Sequence, residues 1–289
     1  MTSSSPSVGT PPREDDVIAM EERHLEQAAQ LTKAVGWPAR LEDWQTAFEL
    51  GRGFAVELDG ELVGTAIWWP YGSTHGSTGM IIVADSAQRR GIGARLMERL
   101  LTDAAGRTII LNSTVAGKKL YERLGFKPYD QVRQHQAVLE AAPEADASVP
   151  LRDVTTRDTP AIIALDEAAA GMPRPEMLAK VFSQSESLVV ERDGSIAGYG
   201  CVRPWGRGVV IGPVIAQDVS DAKALIAALA SRHEGEFVRI DVPKSSGLSD
   251  WLVEIGLPQT DEVVTMSLGP PPRTSNDATL FALANQSFG

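Results

Sequence analysis

A single cysteine, Cys201, stands in 289 residues, which excludes an internal disulfide and any metal site built on a cysteine cluster. It lies in an apolar, strand-like stretch, where a free cysteine behaves as a small hydrophobe. Histidine is scarce as well. His24, His75, His135 and His233 are far apart, and none has a histidine or carboxylate at helical metal-ligand spacing, so no metal is expected. Nowhere do the roughly 18 uninterrupted apolar residues of a spanning helix occur, so no membrane partner is expected. Met1 to Pro12 is rich in Ser, Pro and Thr and turns acidic at Glu14-Asp15-Asp16. It lacks the basic and apolar regions of a signal peptide, so residues 1–15 read as a disordered tail on a cytoplasmic protein. Basic runs are missing too: the densest are Arg89-Arg90 and Lys118-Lys119, against a formal net charge of −11. Nucleic acid is therefore not an expected partner. The acidic balance favours cationic substrates such as amines, though only weakly.

The length is comfortable for two domains, each with its own core, and the chain does repeat itself. Met20 pairs with Val154, Arg23 with Arg157 and Leu31 with Leu165, each 134 residues apart. The same offset carries Asp59-Gly60 onto Asp193-Gly194 and Gly64 onto Gly198. Asp-Gly between alternating apolar runs predicts a tight hairpin with positive φ at both central residues. Each copy reads as a strand, two helices, a hairpin leading into a further strand, then helix, strand, helix, strand, which is an α/β sandwich. In the first copy the helices fall at about 25–35, 41–50, 92–105 and 116–124, and the strands near 54–57, 62–69, 79–84, 108–112 and 131–139. Residues 140–150, rich in Ala, Pro and acid, read as a linker. That gives a first unit at 16–139 and a second at 151–289. A proline run at Gly269 to Pro272 precedes a short apolar segment, Thr279 to Phe288, which reads as docking on a domain face.

The most informative stretch is Gly79 to Leu101. A β-branched strand runs into a turn containing Gly91 and Gly93, and then into an amphipathic helix marked by Ile92, Leu96 and Leu100. The glycines admit a close ligand, the exposed N–H groups at the helix start form an anion site, and Arg89 and Arg90 add charge. A plain strand-to-helix turn also explains a lone Gly-x-Gly. The dinucleotide fingerprint needs a small residue where Leu96 stands. No Gly-Lys-Ser/Thr is present either, so neither the usual dinucleotide nor a nucleoside triphosphate fits.

Gln88 to Ala94, QRRGIGA, resembles the Q/R-x-x-G-x-G/A pyrophosphate loop of the GNAT acetyltransferase superfamily, and Lys119 to Phe126, KLYERLGF, resembles its L-Y-x-x-x-G-F signature. The likeness covers residues 17–139 well; the second half looks like a diverged copy, as in tandem GNAT proteins. It implies two tandem GNAT-like domains, each a mixed, mostly antiparallel sheet flanked by helices. It also implies an N-acetyltransferase that moves an acetyl group directly from acetyl-CoA to an amine on a small molecule or peptide. By the same resemblance the pyrophosphate lies on Gln88, Arg89, Arg90, Gly91, Ile92, Gly93 and Ala94, and the pantetheine arm pairs with Ile82, Val83 and Ala84. Tyr121 then lies near the thioester sulfur, able to give it a proton or a hydrogen bond. Family members often carry an Asn where Thr114 stands; Asn112, two residues earlier, is taken as the substitute cofactor contact. They also often place a Glu on the strand before the loop, where residues 79–83 have no acid. His75, in the polar loop Tyr71 to Thr78, is therefore the candidate base, since its near-neutral pKa suits deprotonating an ammonium. Trp37, Trp44, Trp68, Trp69 and Tyr71 form either an aromatic wall for a cationic acceptor or part of the core.

Matching Gln217 to Gln88 puts Ser220 at the place of Gly91, Ala222 at Gly93, and Asp218 and Asp221 at Arg89 and Ile92. Leu252 then replaces Tyr121. One acyl-CoA per chain is expected, in the first copy, with Arg203, Trp205 or Asp241 of the second contributing to the acceptor pocket. The alternative function is a non-catalytic acyl-CoA sensor or assembly module; a nucleotide-binding protein is a third reading that the loop disfavours.

Overall fold

The computed structural model describes residues 16–289, so the tail expected at 1–15 lies outside the described residues. The first half runs β1 (Ile18–Ala19), α1 (Leu25–Ala34), α2 (Leu41–Leu50), β2 (Arg52–Leu58), β3 (Glu61–Tyr71), β4 (His75–Val83), α3 (Ile92–Asp103), β5 (Thr108–Ser113), α4 (Val115–Arg123) and β6 (Lys127–Val138). The second repeats the order as β7 (Leu151–Asp153), α5 (Thr159–Ala170), α6 (Pro175–Ser183), β8 (Glu186–Arg192), β9 (Ser195–Trp205), β10 (Gly208–Ala216), α7 (Val219–Ala230), β11 (Phe237–Pro243), α8 (Ser249–Glu254) and β12 (Gln259–Leu268). It then adds β13 (Thr279–Ala282). Both hairpins close on the expected turns: Asp59 and Gly60 have φ of 52° and 80°, and Asp193 and Gly194 have 50° and 75°.

The strands form one continuous sheet in which each half lends its last strand to the other, in the order β1-β2-β3-β4-β5-β12-β6-β11-β10-β9-β8-β7. β5 pairs with β12, setting Thr265 opposite Asn112, and β11 pairs with β6, setting Asp241 opposite Gln134. At the centre β6 and β12 run antiparallel to each other, with Val263 opposite Val132. Pairing is antiparallel throughout except for β4 with β5 and β10 with β11.

Helices cover both faces. On one face α1, α2, α5 and α6 share a single apolar cluster that includes Trp44, Trp69, Tyr71 and Tyr199. On the other, α3 and α4 pack over the first half, and α7 and α8 over the second. β3 is covered from both sides, which is why it reads as an apolar run rather than an alternation.

The segment after β13 returns to the middle of the sheet and fills the space between the two helix pairs of the shared face. Phe288 is fully buried, edge-on to Trp69 at 5.0 Å and to Trp205 at 5.7 Å. The Tyr71 hydroxyl donates to Phe288 O (2.6 Å), and Arg203 donates to Ala284 O (2.8 Å). Arg174 donates to Gly289 O (2.6 Å) and, through Nε and Nη2, to both oxygens of Asp166. A buried guanidinium without that carboxylate would be strongly destabilising, so the Asp166–Arg174 pair makes a charged anchor tolerable in the core.

Two outcomes follow from this architecture. A fragment ending at residue 139 has β6 but neither of its neighbours, and β5 without an outer partner. It should show no cooperative melting as a monomer, whereas the whole chain should melt in one calorimetric transition; a stable monomeric fragment would contradict the exchange. Phe288→Ala should lower stability by about 3–5 kcal/mol, the usual cost of emptying a phenylalanine site, read by denaturant unfolding.

Candidate active site

β4 and β5 are paired only over His75 to Ser77, with partners Thr108 to Ile110. Beyond Ser77 they separate, and among the described residues no strand pairs with the exposed edge of β4. The separation begins at a bulge: Gly79 faces Ile67 and Ile82 faces Thr65, so Met80 and Ile81 share Ala66. Met80 sits at φ 52°, and Thr65 Oγ1 pins the bulge by donating to Met80 O (2.8 Å). An unpaired edge of this kind accepts an extended, amide-bearing ligand as an added strand. Ile82, Val83 and Ala84 lie along it. The Ala84 N–H is already donated to Val63 O, and Val83 O accepts from the Gln88 side chain (3.3 Å).

Eight residues, 84–91, lead from β4 to α3. Arg89 (φ 63°) and Gly91 (φ 78°) both take the left-handed conformation, a geometry that turns successive N–H groups toward one side. Gly91 is the N-cap and offers no side chain, so the N–H groups of the first turn, Ile92, Gly93 and Ala94, are left for a ligand. No acid occupies that turn, and Arg89 and Arg90 are exposed beside it. A Cβ on Gly93 would meet Leu120 and Val83 at ordinary contact distance, 3.6 and 3.7 Å. A Cβ on Gly91 would meet nothing within 4 Å.

Tyr121 projects from α4 into the α3 cluster, edge-on to Phe126 at 5.9 Å. Its hydroxyl makes no hydrogen bond with any described residue, and burial pushes its pKa up to about 12. It therefore remains a neutral donor through the physiological range.

Other candidates are placed elsewhere. His75 lies at the paired end of β4, five residues before Met80 and so roughly 15 Å from the bulge at strand rise. Its ring bonds Thr74 Oγ1 (2.9 Å), and burial lowers its pKa. The structure does not bring it to the gap: a loop position in the sequence is here the closed end of a ladder. Asn112 is at the gap, but its amide is committed, donating to Gln286 O (2.8 Å) and accepting from Thr265 Oγ1 (2.8 Å). It anchors the C-terminal segment rather than standing free for a cofactor. Trp44, Trp68 and Trp69 are buried with their indole N–H groups on Thr32, Asp103 and Ala47 O, and Trp37 is exposed. They form no cage. Arg203, Trp205 and Asp241 all touch the C-terminal segment, Asp241 by accepting from the Gln286 side chain (3.1 Å). Sequence reasoning placed that segment on a domain face and missed that it enters the site.

The second half has lost its loop outright. Only Gln217 and Asp218 join β10 to α7, where eight residues stand in the first half. The residue-for-residue match of Gln217 with Gln88 is therefore wrong: Ser220, Asp221 and Ala222 are inside the helix. Asp218 caps that helix by accepting from Asp221 N, and Asp221 pairs with Arg192. The edge of β10 is filled as well. Ala216 faces Gly198 as Val83 faces Gly64, and β13 pairs with Val214 to Ala216, the counterparts of Ile81 to Val83. Leu252 does replace Tyr121: Leu257 N bonds Leu252 O (2.9 Å) as Phe126 N bonds Tyr121 O (3.0 Å).

Among the described residues no group of three or more His, Cys, Asp or Glu is placed to hold a metal, and no helix is long and apolar enough to cross a membrane. Cys201 is buried, and its thiol is pushed up to about 12.

Comparison with known proteins agrees with the geometry. Models of the acetyltransferase (GNAT) domain match residues 49–128 and 162–282. The chain is 28% identical over 281 residues to the uncharacterized N-acetyltransferase YitH of Bacillus subtilis, covering 95% of this chain and 99% of that one. It is 23% identical over 261 residues to the holothin acyltransferase of a Pseudoalteromonas species, covering 82% and 88%. A solved chain from Pyrococcus horikoshii superposes with a TM-score of 0.81 at 20% identity over 99% of both chains. A tandem GNAT protein of the clavulanic acid pathway superposes at 0.64 with 14% identity, over 88% of this chain and 99% of that one. With an acetyltransferase domain matched in each half and a sheet that joins the two, the chain belongs to the GNAT superfamily, as a tandem member.

Proposed function

We propose that the chain transfers an acetyl group from acetyl-CoA to an amine, with the acetyl-CoA held by the first half alone. The carrying observation is that the unpaired β4 edge leads through the loop 84–91 into an acid-free helix N-terminus with Arg89 and Arg90, while Tyr121, its hydroxyl unpartnered, packs in the apolar cluster beneath that helix. The β4 edge suits the amides of a pantetheine arm, the helix N-terminus suits the pyrophosphate, and Tyr121 then reaches the sulfur. The names of the two relatives, an N-acetyltransferase and an acyltransferase, support acyl transfer to an amine.

In that reaction the neutral amine nitrogen attacks the thioester carbonyl. The C–N bond forms, the C–S bond breaks, and the proton lost by nitrogen ends on the thiol of CoA. A thiol has a reference pKa of about 8.5, below the roughly 12 of Tyr121. Full proton transfer from Tyr121 to the thiolate therefore runs uphill. Its part is to hold the leaving sulfur by a hydrogen bond that strengthens as charge develops there.

Tyr121→Phe should lower turnover by roughly 10- to 10⁴-fold with acetyl-CoA affinity little changed; undiminished turnover would assign the donor elsewhere. Calorimetric titration with acetyl-CoA should give one site per chain, because β13 closes the second cleft. Gly91→Glu should weaken that site severely, since Glu is strained at φ 78° and places a negative charge where the pyrophosphate lies. Two sites, or wild-type affinity in the variant, would refute the placement.

A further inference from the structure

We propose that Ser287, delivered by the second half's C-terminal segment, is the acceptor-binding residue of the first half's site. The inference rests on the transferase reading above and names the side from which the amine arrives. Ser287 lies against Gly79, one residue before the β4 bulge, so closely that a Cβ on Gly79 would fall 2.7 Å from its Oγ and 2.9 Å from its Cβ. Across the gap, Asn112 of β5 holds the neighbouring carbonyl, Gln286 O, at 2.8 Å. The segment therefore spans from β4 to β5 at the point where their ladder has opened.

Everything around Ser287 is fixed. Its N–H donates to Asn285 Oδ1 (2.8 Å), as does that of Phe288 (2.8 Å). The Gln286 side chain donates to Asp241 and to Gln134, and Phe288 is wedged between Trp69 and Trp205. The Ser287 hydroxyl, by contrast, makes no hydrogen bond with any described residue, and the residue is only half-buried. A held backbone carrying a free hydroxyl is a pre-organised contact, because little freedom remains to be lost when a ligand binds it.

The two free hydroxyls, Tyr121 and Ser287, lie on opposite faces of the sheet. Tyr121 belongs to the cluster beneath α3, with Ile109 and Leu111. Ser287 lies on the other face, toward which Ile110 packs with Phe288. A thioester in the gap has Tyr121 toward its sulfur, and the opposite face is left for the nucleophile. There Ser287 Oγ accepts a hydrogen bond from the amine N–H and leaves the nitrogen lone pair directed at the carbonyl carbon. The bond strengthens as nitrogen gains positive charge, so it aids both binding and attack. Glycine at position 79 is then needed to leave room for this hydroxyl.

The test uses the whole chain and a panel of primary amines comprising lysine, polyamines and amino sugars, with CoA release as the readout. For the amine that wild type uses best, Ser287→Ala should raise KM at least tenfold. Calorimetric affinity for acetyl-CoA and the melting temperature should not change. Gly79→Ala, which displaces Ser287, should raise the same KM. An unchanged KM in Ser287→Ala, or a loss of acetyl-CoA affinity that parallels the KM change, overturns this proposal alone. If wild type turns over no amine in the panel, the transferase reading falls and this one with it.

Discussion

The antiparallel pairing of β6 with β12 at the centre of the sheet is the constraint on which the rest of the molecule depends. Because each of these strands also pairs with the other half's penultimate strand, the halves cannot separate without breaking three ladders. The exchange sets Thr265 beside Asn112 and Asp241 beside Gln134. It also fixes the path by which the chain beyond β12 reaches the gap between β4 and β5. The site is thus built by tertiary pairing over long sequence separation, with the loop 84–91 and the C-terminal segment anchored on a paired sheet.

The two halves share one GNAT framework and differ at its helix N-terminus. Both keep the bulge on the fourth strand, both separate from the following strand after three residues of pairing, and both end their last helix with the same capping bond. They differ in what meets the opening. In the first half the helix N-terminus is left uncapped at the end of a long loop; in the second it is satisfied by a carboxylate on a two-residue connection. Anion affinity at a helix start depends on donors without partners, and the shortened loop and the capping Asp218 leave fewer of them in the second half. β13 then takes the freed edge, which would otherwise be an exposed template for unwanted pairing.

Much of this was legible from local signals. Asp59-Gly60 and Asp193-Gly194 announce their hairpins because the turn chemistry is local. The loop from Gln88 to Ala94 and the helix carrying Tyr121 fall where pattern and spacing put them. What was not legible is non-local. Nothing in the alternation along β6 says whether its neighbour is β5 or β11, since an apolar face packs equally well in either place. The missing loop of the second half was hidden because matching Gln217 to Gln88, by residue type, set a two-residue connection against a loop of eight. His75 misled because a polar stretch between strands reads as a loop, whereas His75 is itself the first paired residue of β4. Ser287 gave no signal, since its meaning comes only from the glycine opposite.

The strand exchange also has a consequence in time. Translation emits residues in order, so the first half's β5 is complete long before its neighbour β12 exists. Between the end of β6 at Val138 and the end of β12 at Leu268, synthesis at ~5–20 residues per second takes roughly 7 to 26 s. For that interval β5 presents an open edge beside a polysome, where adjacent nascent chains carry the same unsatisfied edge and, further along, the same β12. A sister chain's β12 fits as well as the chain's own, so intertwined dimers are the natural misassembly of this architecture. Slow elongation through the second half, or a holdase on the β5 edge, would set how many are made.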